Sequence, residues 1–297
     1  MSKSFNKLSI KNYREVKSLK SDYSGIIYNN PMNDRCIQDI AYAIKQGGFK
    51  GNWINLAVKS DKVFIRQFLL PQMSVKELST AILYEAQNQY DISPEELVWD
   101  WRFLGRDRVE KNRYRVLFVS LQKELIEKFQ ELLRAEGLYL NVIEIDIFSV
   151  LRLLKLNKAL TVKSDETTLL INMEDVSTTI ILIRGCEYVF SRFISIGKEH
   201  VISDKEGFYY DPAYNLIKET KTSLSYVLAQ TQDNYEDYRF LFLKKFWEIG
   251  SIIDFFSQEL NLPGEVFDPL QYMCNHRNIN ELNSAEVAVG SALRGWR

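Results

Sequence analysis

Histidine is almost absent. His200 and His276 are the only two in 297 residues, and neither has ligand-type neighbours at metal spacing. A zinc centre needs about four ligands, and the sequence supplies no such set. Cysteine is scarce too. Cys36, Cys186 and Cys274 stand far apart, odd in number, with no CxxC pair, which reads as reduced thiols in a cytosolic protein. There is no surplus of either charge: 38 basic residues face 39 acidic ones, for a net charge of -1. Nucleic-acid binding thus has no electrostatic basis in the totals. Long apolar runs are missing as well. The densest, around Val142 to Leu156, is broken by Glu144, Asp146, Arg152 and Lys155, well short of the roughly 20 apolar residues of a spanning helix. Met1 to Asn12 is polar and basic, without the apolar core of a signal peptide. A soluble chain is expected, brought to any membrane by a partner.

What remains is ordinary globular composition, 46% hydrophobic and 26% charged, enough for sizeable cores. Extended segments are expected over Leu8 to Asn30, then a helix over Asp34 to Gln46 with Ile37, Ile40, Ala41 and Ile44 on one face. Trp53 to Val58 and Val63 to Leu70 read as a strand pair around the polar turn Lys59 to Lys62. Ser74 and Glu77 form a capping box for a helix over Val75 to Gln89, with Val75, Leu78, Ile82 and Ala86 inward. Ser93-Pro94-Glu95-Glu96 opens a single turn. Strands over Leu97 to Leu104 and Tyr114 to Leu121 flank the charged, mobile loop Gly105 to Arg113. A helix over Lys123 to Glu136 presents Leu125, Phe129, Leu132 and Leu133 inward and stops at Gly137. Leu138 to Glu144 is a strand and Ile147 to Leu156 a helix. The polar stretch Asn157 to Glu166 separates two lobes.

The second lobe opens with strands over Thr168 to Asn172, Thr178 to Ile183 and Tyr188 to Ile196. A charged, aromatic loop, Lys198 to Tyr214, leads to a helix over Asn215 to Gln230. A strand over Tyr238 to Leu243, a helix over Ile252 to Leu260 and a small-residue helix over Ala285 to Leu293 follow. Strands and helices alternate in both lobes, which argues an α/β fold.

Few residues suggest chemistry. Glu95, Glu96 and Asp100 read as a solvated cap and strand edge, with no base beside them. Ser177-Thr178-Thr179 reads as a turn and strand start. Trp99, Trp101 and Phe103 share one strand face, either as core or as a binding surface. Phe208-Tyr209-Tyr210 with Tyr214 lacks the basic surround of a nucleic-acid platform and reads as packed on its own lobe. Lys244-Lys245 offers anionic lipid only about 2 kcal/mol.

The order of several segments resembles the PilM family of actin-like type IV pilus assembly proteins. They are Ile54-Asn55-Leu56-Ala57-Val58, Phe68-Leu69-Leu70-Pro71-Gln72-Met73-Ser74, Ile82-Leu83-Tyr84-Glu85-Ala86, Val98-Trp99-Asp100-Trp101, Val116-Leu117-Phe118-Val119-Ser120 and Ala135-Glu136-Gly137-Leu138. Phe190-Ser191-Arg192-Phe193-Ile194-Ser195-Ile196-Gly197 and Ala288-Val289-Gly290-Ser291-Ala292-Leu293-Arg294-Gly295 follow. The cytoplasmic domain of GspL is a more distant likeness, disfavoured because that family carries a membrane segment. The resemblance implies duplicated, ribonuclease H-like lobes with an inserted strand–helix–strand–strand subdomain. Residues 1–52 and 141–165 would form the first lobe's core, 53–140 the insertion and 166–297 the second lobe.

The departures from the family bear on chemistry. A first phosphate loop needs glycine so that backbone amides approach the phosphates, but the first glycine here is Gly25, and that hairpin is expected to be missing. In the second phosphate loop, Asn172 stands for the metal-organising aspartate and Glu174 for a glycine, and Glu174 and Asp175 would repel phosphate. Lys244 and Lys245 stand in the adenosine loop in place of glycines. The implied protein binds no cofactor and is not an enzyme. Its implied partner is the N-terminal cytoplasmic tail of a PilN-like bitopic membrane protein, with the assembly ATPase as a further contact. The tail would lie along Trp53, Asn55, Val63 and Ile65, near Tyr84 and Tyr90, in a pilus, competence or type II secretion machine. The alternative is an actin-fold ATP-binding enzyme with cryptic motifs.

Overall fold

The computed structural model describes residues 42, 44–46, 51–59, 63–89, 93–156, 166–203, 207–231, 235–243, 250–270 and 285–294. Most of the first expected helix lies outside them. The chain divides into two compact units, the first ending at Ile145 and the second beginning at Asp146.

In the first unit, β1 (Trp53–Val58) pairs in parallel with β5 (Tyr139–Ile145), from Trp53 opposite Tyr139 to Val58 opposite Ile145. The strand pair expected across Lys59 to Lys62 does not form. A polar turn marks a break in the chain but does not choose a partner, and a parallel neighbour requires a long crossover. Here the crossover contains a second sheet and two helices. β2 (Phe64–Pro71), β3 (Leu97–Arg106) and β4 (Arg113–Gln122) form that antiparallel sheet in the order β2-β4-β3.

Helix α1 (Val75–Gln89) covers the sheet. Its start is the capping box: the Ser74 amide donates to Glu77 Oε2 at 2.8 Å and the Glu77 amide to Ser74 Oγ at 3.3 Å. The apolar spacing then points Leu78, Ile82 and Ala86 at Phe68, Leu70, Val116 and Phe118. Val75 is 71% exposed rather than inward, because the first helical residue lies beyond the sheet. Trp99 and Trp101 pack on this core, and Trp101 Nε1 donates to Ser79 Oγ at 3.2 Å; Phe103, past them, is 48% exposed. Helix α2 (Lys123–Ala135) buries Phe129 and Leu133 with Leu138, and Ile54, Leu56 and Leu140 pack around them. β1, α2 and β5 thus form one layer.

The second unit begins with α3 (Asp146–Leu156), ahead of the polar stretch expected to divide the lobes. Leu151 and Leu154 line a small cavity with Thr168, Ile183 and Leu241 of the second sheet, so α3 is part of this core. The sheet is built from β6 (Thr167–Met173), β7 (Thr178–Arg184), β8 (Glu187–Ile194), β11 (Tyr238–Leu243) and β12 (Gly264–Phe267) in the order β12-β11-β6-β7-β8. The first three strands run antiparallel and the last two parallel to β6. Every residue of β6 and β7 is buried, as continuous apolar strands covered on both faces should be. A short helix α4 (Lys198–Val201) and the ladder of β9 (Ile202–Ser203) with β10 (Gly207–Phe208) precede α5 (Tyr210–Thr231).

α5 and α6 (Gly250–Leu260) supply Leu216, Ile217, Leu224, Ile252 and Phe256 to one face of the core. Tyr210 and Tyr214 open α5 instead of ending a loop, and their rings lean on Phe255 at 6.2 and 5.0 Å. The last helix, α7 (Ala285–Ala292), packs on α3. Its small residues permit this: a Cβ on Gly290 would stand 2.1 Å from the Ser149 carbonyl oxygen, and Arg152 Nη1 donates to the Gly290 carbonyl at 2.6 Å. β12 follows the helix expected over Ile252 to Leu260 and has no signal in the sequence, because four residues are too few to show a period. Three antiparallel strands followed by two parallel ones, with helices crossing between, make an actin-like lobe.

Candidate functional site

Two places each bring together some of the residues singled out by sequence. The first is the β6–β7 turn. Asn172 is 4% exposed and stands opposite Thr179 in the ladder. Its Oδ1 is buried without a hydrogen-bond partner. Glu174 is half-buried and Asp175 exposed. The turn closes on itself through the Glu174 amide and the Ser177 carbonyl at 2.8 Å. It is also stitched to the chain after β8. The Lys198 amide donates to the Glu174 carbonyl and the Glu199 amide to the Asp175 carbonyl, both at 2.8 Å. Thr178 Oγ1 donates to the Ile196 carbonyl at 2.6 Å.

Gly197 makes this contact possible. A Cβ there would stand 2.2 Å from the Ser177 nitrogen and 2.6 Å from the Glu174 oxygen. Its φ of -129° is open to any residue, so the requirement is for space alone. Phosphate-holding loops present free backbone amides to the anion. In this turn the amides of Glu174, Lys198 and Glu199 are spent on carbonyls of the protein itself. Lys244 and Lys245 lie outside the described residues.

The second place is the β1–β5 layer. Trp53 is 70% exposed and its ring centroid lies 5.5 Å from that of Tyr139, itself 44% exposed. Two residues on, Asn141 Nδ2 donates to Asn55 Oδ1 at 2.9 Å. Among the described residues, β1 and β5 each pair on one side only. The remaining expected residues are elsewhere: Val63 is half-buried, Ile65 is buried on the sheet face turned away from α1, and Tyr84 stands 62% exposed on α1. Tyr90 lies outside the described residues. The structure therefore joins Trp53 and Asn55, and adds Tyr139 and Asn141, which the sequence reading left out. No local signal could have found them, since their nearness rests on a pairing across more than 80 residues. Burial raises the Tyr235 and Tyr238 hydroxyls above the usual tyrosine range, so neither is a proton donor poised for neutral pH. Among the described residues no three histidine, cysteine or carboxylate side chains cluster as a metal site would need.

The family model described as type IV pilus assembly protein PilM matches residues 20–226. The chain belongs to the PilM family. Among solved structures, a PilM–PilN type IV pilus biogenesis complex is similar at a TM-score of 0.72 and 20% identity, covering 89% of this chain and 85% of that one. A Bacteroides thetaiotaomicron protein with an actin-like ATPase fold and unknown function matches at a TM-score of 0.47 and 8% identity, over 86% of this chain and 80% of that one. The cytoplasmic domain of EpsL, an inner-membrane component of the Vibrio cholerae type II secretion system, matches at 0.42 and 8%, over 87% and 80%. Among curated proteins the sequence finds no match. In this PilM-family chain, no helix among the described residues is long and apolar enough to cross a membrane.

Proposed function

We propose that this PilM-family chain is a non-catalytic scaffold of a type IV pilus or related competence or secretion machine. It captures the N-terminal cytoplasmic segment of a PilN-like membrane protein, which holds it at the inner face of the membrane. The observation that carries the reading is the match to the PilM–PilN complex over 89% of the chain. An extended peptide needs free backbone donors and acceptors and pockets for alternate side chains. The β1–β5 layer offers strands paired on one side among the described residues, with Trp53, Tyr139 and the Asn55–Asn141 pair beside them. In this reading the inserted subdomain is β2-α1-β3-β4, narrower than residues 53–140, because β1, α2 and β5 pack with one another. The stitched β6–β7 turn supports the absence of nucleotide chemistry, since its amides are already occupied.

The test is a titration of the full chain with a synthetic peptide from the N-terminus of a PilN-like single-span membrane protein of the same organism. Trp53→Ala should weaken binding by about 1–3 kcal/mol, the range of an aromatic hot spot, with the melting curve unchanged. Saturable binding that Trp53→Ala and Tyr84→Ala both leave intact would remove the site assignment. No binding at all would remove the proposed function.

A further inference from the structure

A balanced total charge conceals one strongly basic element. Between Arg102 and Arg115 the chain carries six basic residues, Arg102, Arg106, Arg108, Lys111, Arg113 and Arg115, against two acidic ones, Asp107 and Glu110. These fourteen residues span the end of β3, the start of β4 and the tip that joins them.

Both acids of the tip are spent on its own structure. The Asp107 carboxylate accepts the amides of Val109 and Glu110 at 2.9 and 2.8 Å. Glu110 pairs with Arg113 at 2.8 Å. The tip is further closed by the Asp107 amide on the Arg113 carbonyl at 2.8 Å and pinned by Gln72 on the Lys111 carbonyl at 3.1 Å. The expected mobile loop is therefore a shaped one. Arg106, Arg108 and Lys111 are exposed around it. Arg106 and Lys111 have no anionic partner among the described residues. At the apex Val109 is 48% exposed.

We propose that this hairpin tip is a contact for the anionic surface of a phospholipid bilayer. It rests on the hairpin alone, independently of the peptide capture proposed above. The shape favours a surface over a peptide. The tip is a turn that projects from the strands, with an aliphatic side chain at its apex between cations. The cavity found in this sheet lies at the other end of the same strands, lined by Phe64, Pro94, Leu97 and Ser120. Clustered cations near an anionic leaflet each contribute about a fivefold gain in partition, the factor that about 1 kcal/mol represents. A few such contacts bind a free protein weakly, within reach of a vesicle assay at high lipid concentration. They orient one already held by a partner, because the second attachment is made at high effective concentration.

The experiment is co-sedimentation of the full chain with phosphatidylcholine vesicles, with and without phosphatidylglycerol. The expected result is binding only where phosphatidylglycerol is present, declining steeply with salt. The triple variant Arg106→Gln, Arg108→Gln, Lys111→Gln should lose binding by on the order of 100-fold. It keeps Asp107 and Glu110, and its melting temperature should match the wild type. Inorganic phosphate at matched ionic strength should not compete. Equal binding to both vesicle types, an unaffected triple variant, or displacement by inorganic phosphate would each overturn the proposal. So would failure of the wild type to bind vesicles while an acidic protein of the machine is lost with the triple variant. Peptide capture in the titration above should be the same for wild type and variant, so the two proposals fail separately.

Discussion

Substituting Gly197 by alanine tests whether the β6–β7 turn is held by close backbone contact. The new Cβ would stand 2.2 Å from the Ser177 nitrogen, 2.5 Å from the Val176 carbonyl carbon and 2.6 Å from the Glu174 oxygen. All three are backbone atoms, so no side chain can rotate away. The two segments must part, which lengthens the Lys198–Glu174, Glu199–Asp175 and Thr178–Ile196 bonds. At about 1 kcal/mol net for each, the cost is about 3 kcal/mol. For a unit of this size that is a fall in melting temperature of about 6–12 °C. The assay is thermal unfolding by circular dichroism, with the transition of the second unit identified by limited proteolysis. Gly137→Ala is the control. Gly137 has φ +74° and nothing within 4 Å of a Cβ, so it should cost only the left-handed conformation, about 1–2 kcal/mol, and in the first unit. If Gly197→Ala melts within about 2 °C of wild type, the stitched turn is not a structural clamp and the account of its spent amides fails.

A thermal scan with ATP and magnesium should show no shift, whereas a ligand at about 100 times its dissociation constant would add about 2.7 kcal/mol; a clear shift would revive the ATP-binding alternative. Phe129→Ala should cost about 3–5 kcal/mol, since Phe129 is 4% exposed between α2 and the β1–β5 layer; a near-neutral denaturant midpoint would dissolve that layer. Asn172→Leu should be neutral or stabilising by chemical denaturation, because it removes an unpaired buried oxygen that costs about 1–3 kcal/mol; a marked loss would mean that the oxygen holds something. Hydrogen bonds from the Ser74 amide and hydroxyl lower the Glu77 carboxyl below its ordinary range. Its folded value lies below its unfolded one, so the cap's contribution is present above the usual carboxylate range and fades as pH falls through the lowered value. Unfolding of wild type and Glu77→Gln should therefore converge in acid, and a constant gap down to the lowest pH would contradict the assignment.

The sequence made the elements legible wherever one local rule acted alone. The capping box placed the start of α1, the spacing of Leu78, Ile82 and Ala86 gave its face, and Gly137 marked the end beyond α2. It was silent where the answer depended on distant chain. Trp53–Val58 looked like the partner of the strand that follows, and only the long-range register with Tyr139–Ile145 shows otherwise. That error hid half of the β1–β5 face, including Tyr139 and Asn141. Composition misled on charge as well, since the excess at Arg102 to Arg115 vanishes in a sum over 297 residues. Gly197 was visible within a family-like segment, but its reason is a contact with another turn, which no local pattern records.

The register of the first unit's sheet has a consequence for how the protein is put together. Phe64, where β2 begins, lies opposite Ser120, near the end of β4. The chain therefore enters and leaves the strand–helix–strand–strand unit on neighbouring strands, roughly 5 Å apart. A segment whose two ends meet imposes almost no geometry on its host beyond that short gap. It can be lengthened, exchanged between relatives or cut out and bridged by a few residues while β1, α2 and β5 keep their own register. Its core of Leu78, Ile82, Val116 and Phe118 closes within one stretch of sequence, so the unit can fold as soon as it is made, before β5 exists for β1 to pair with.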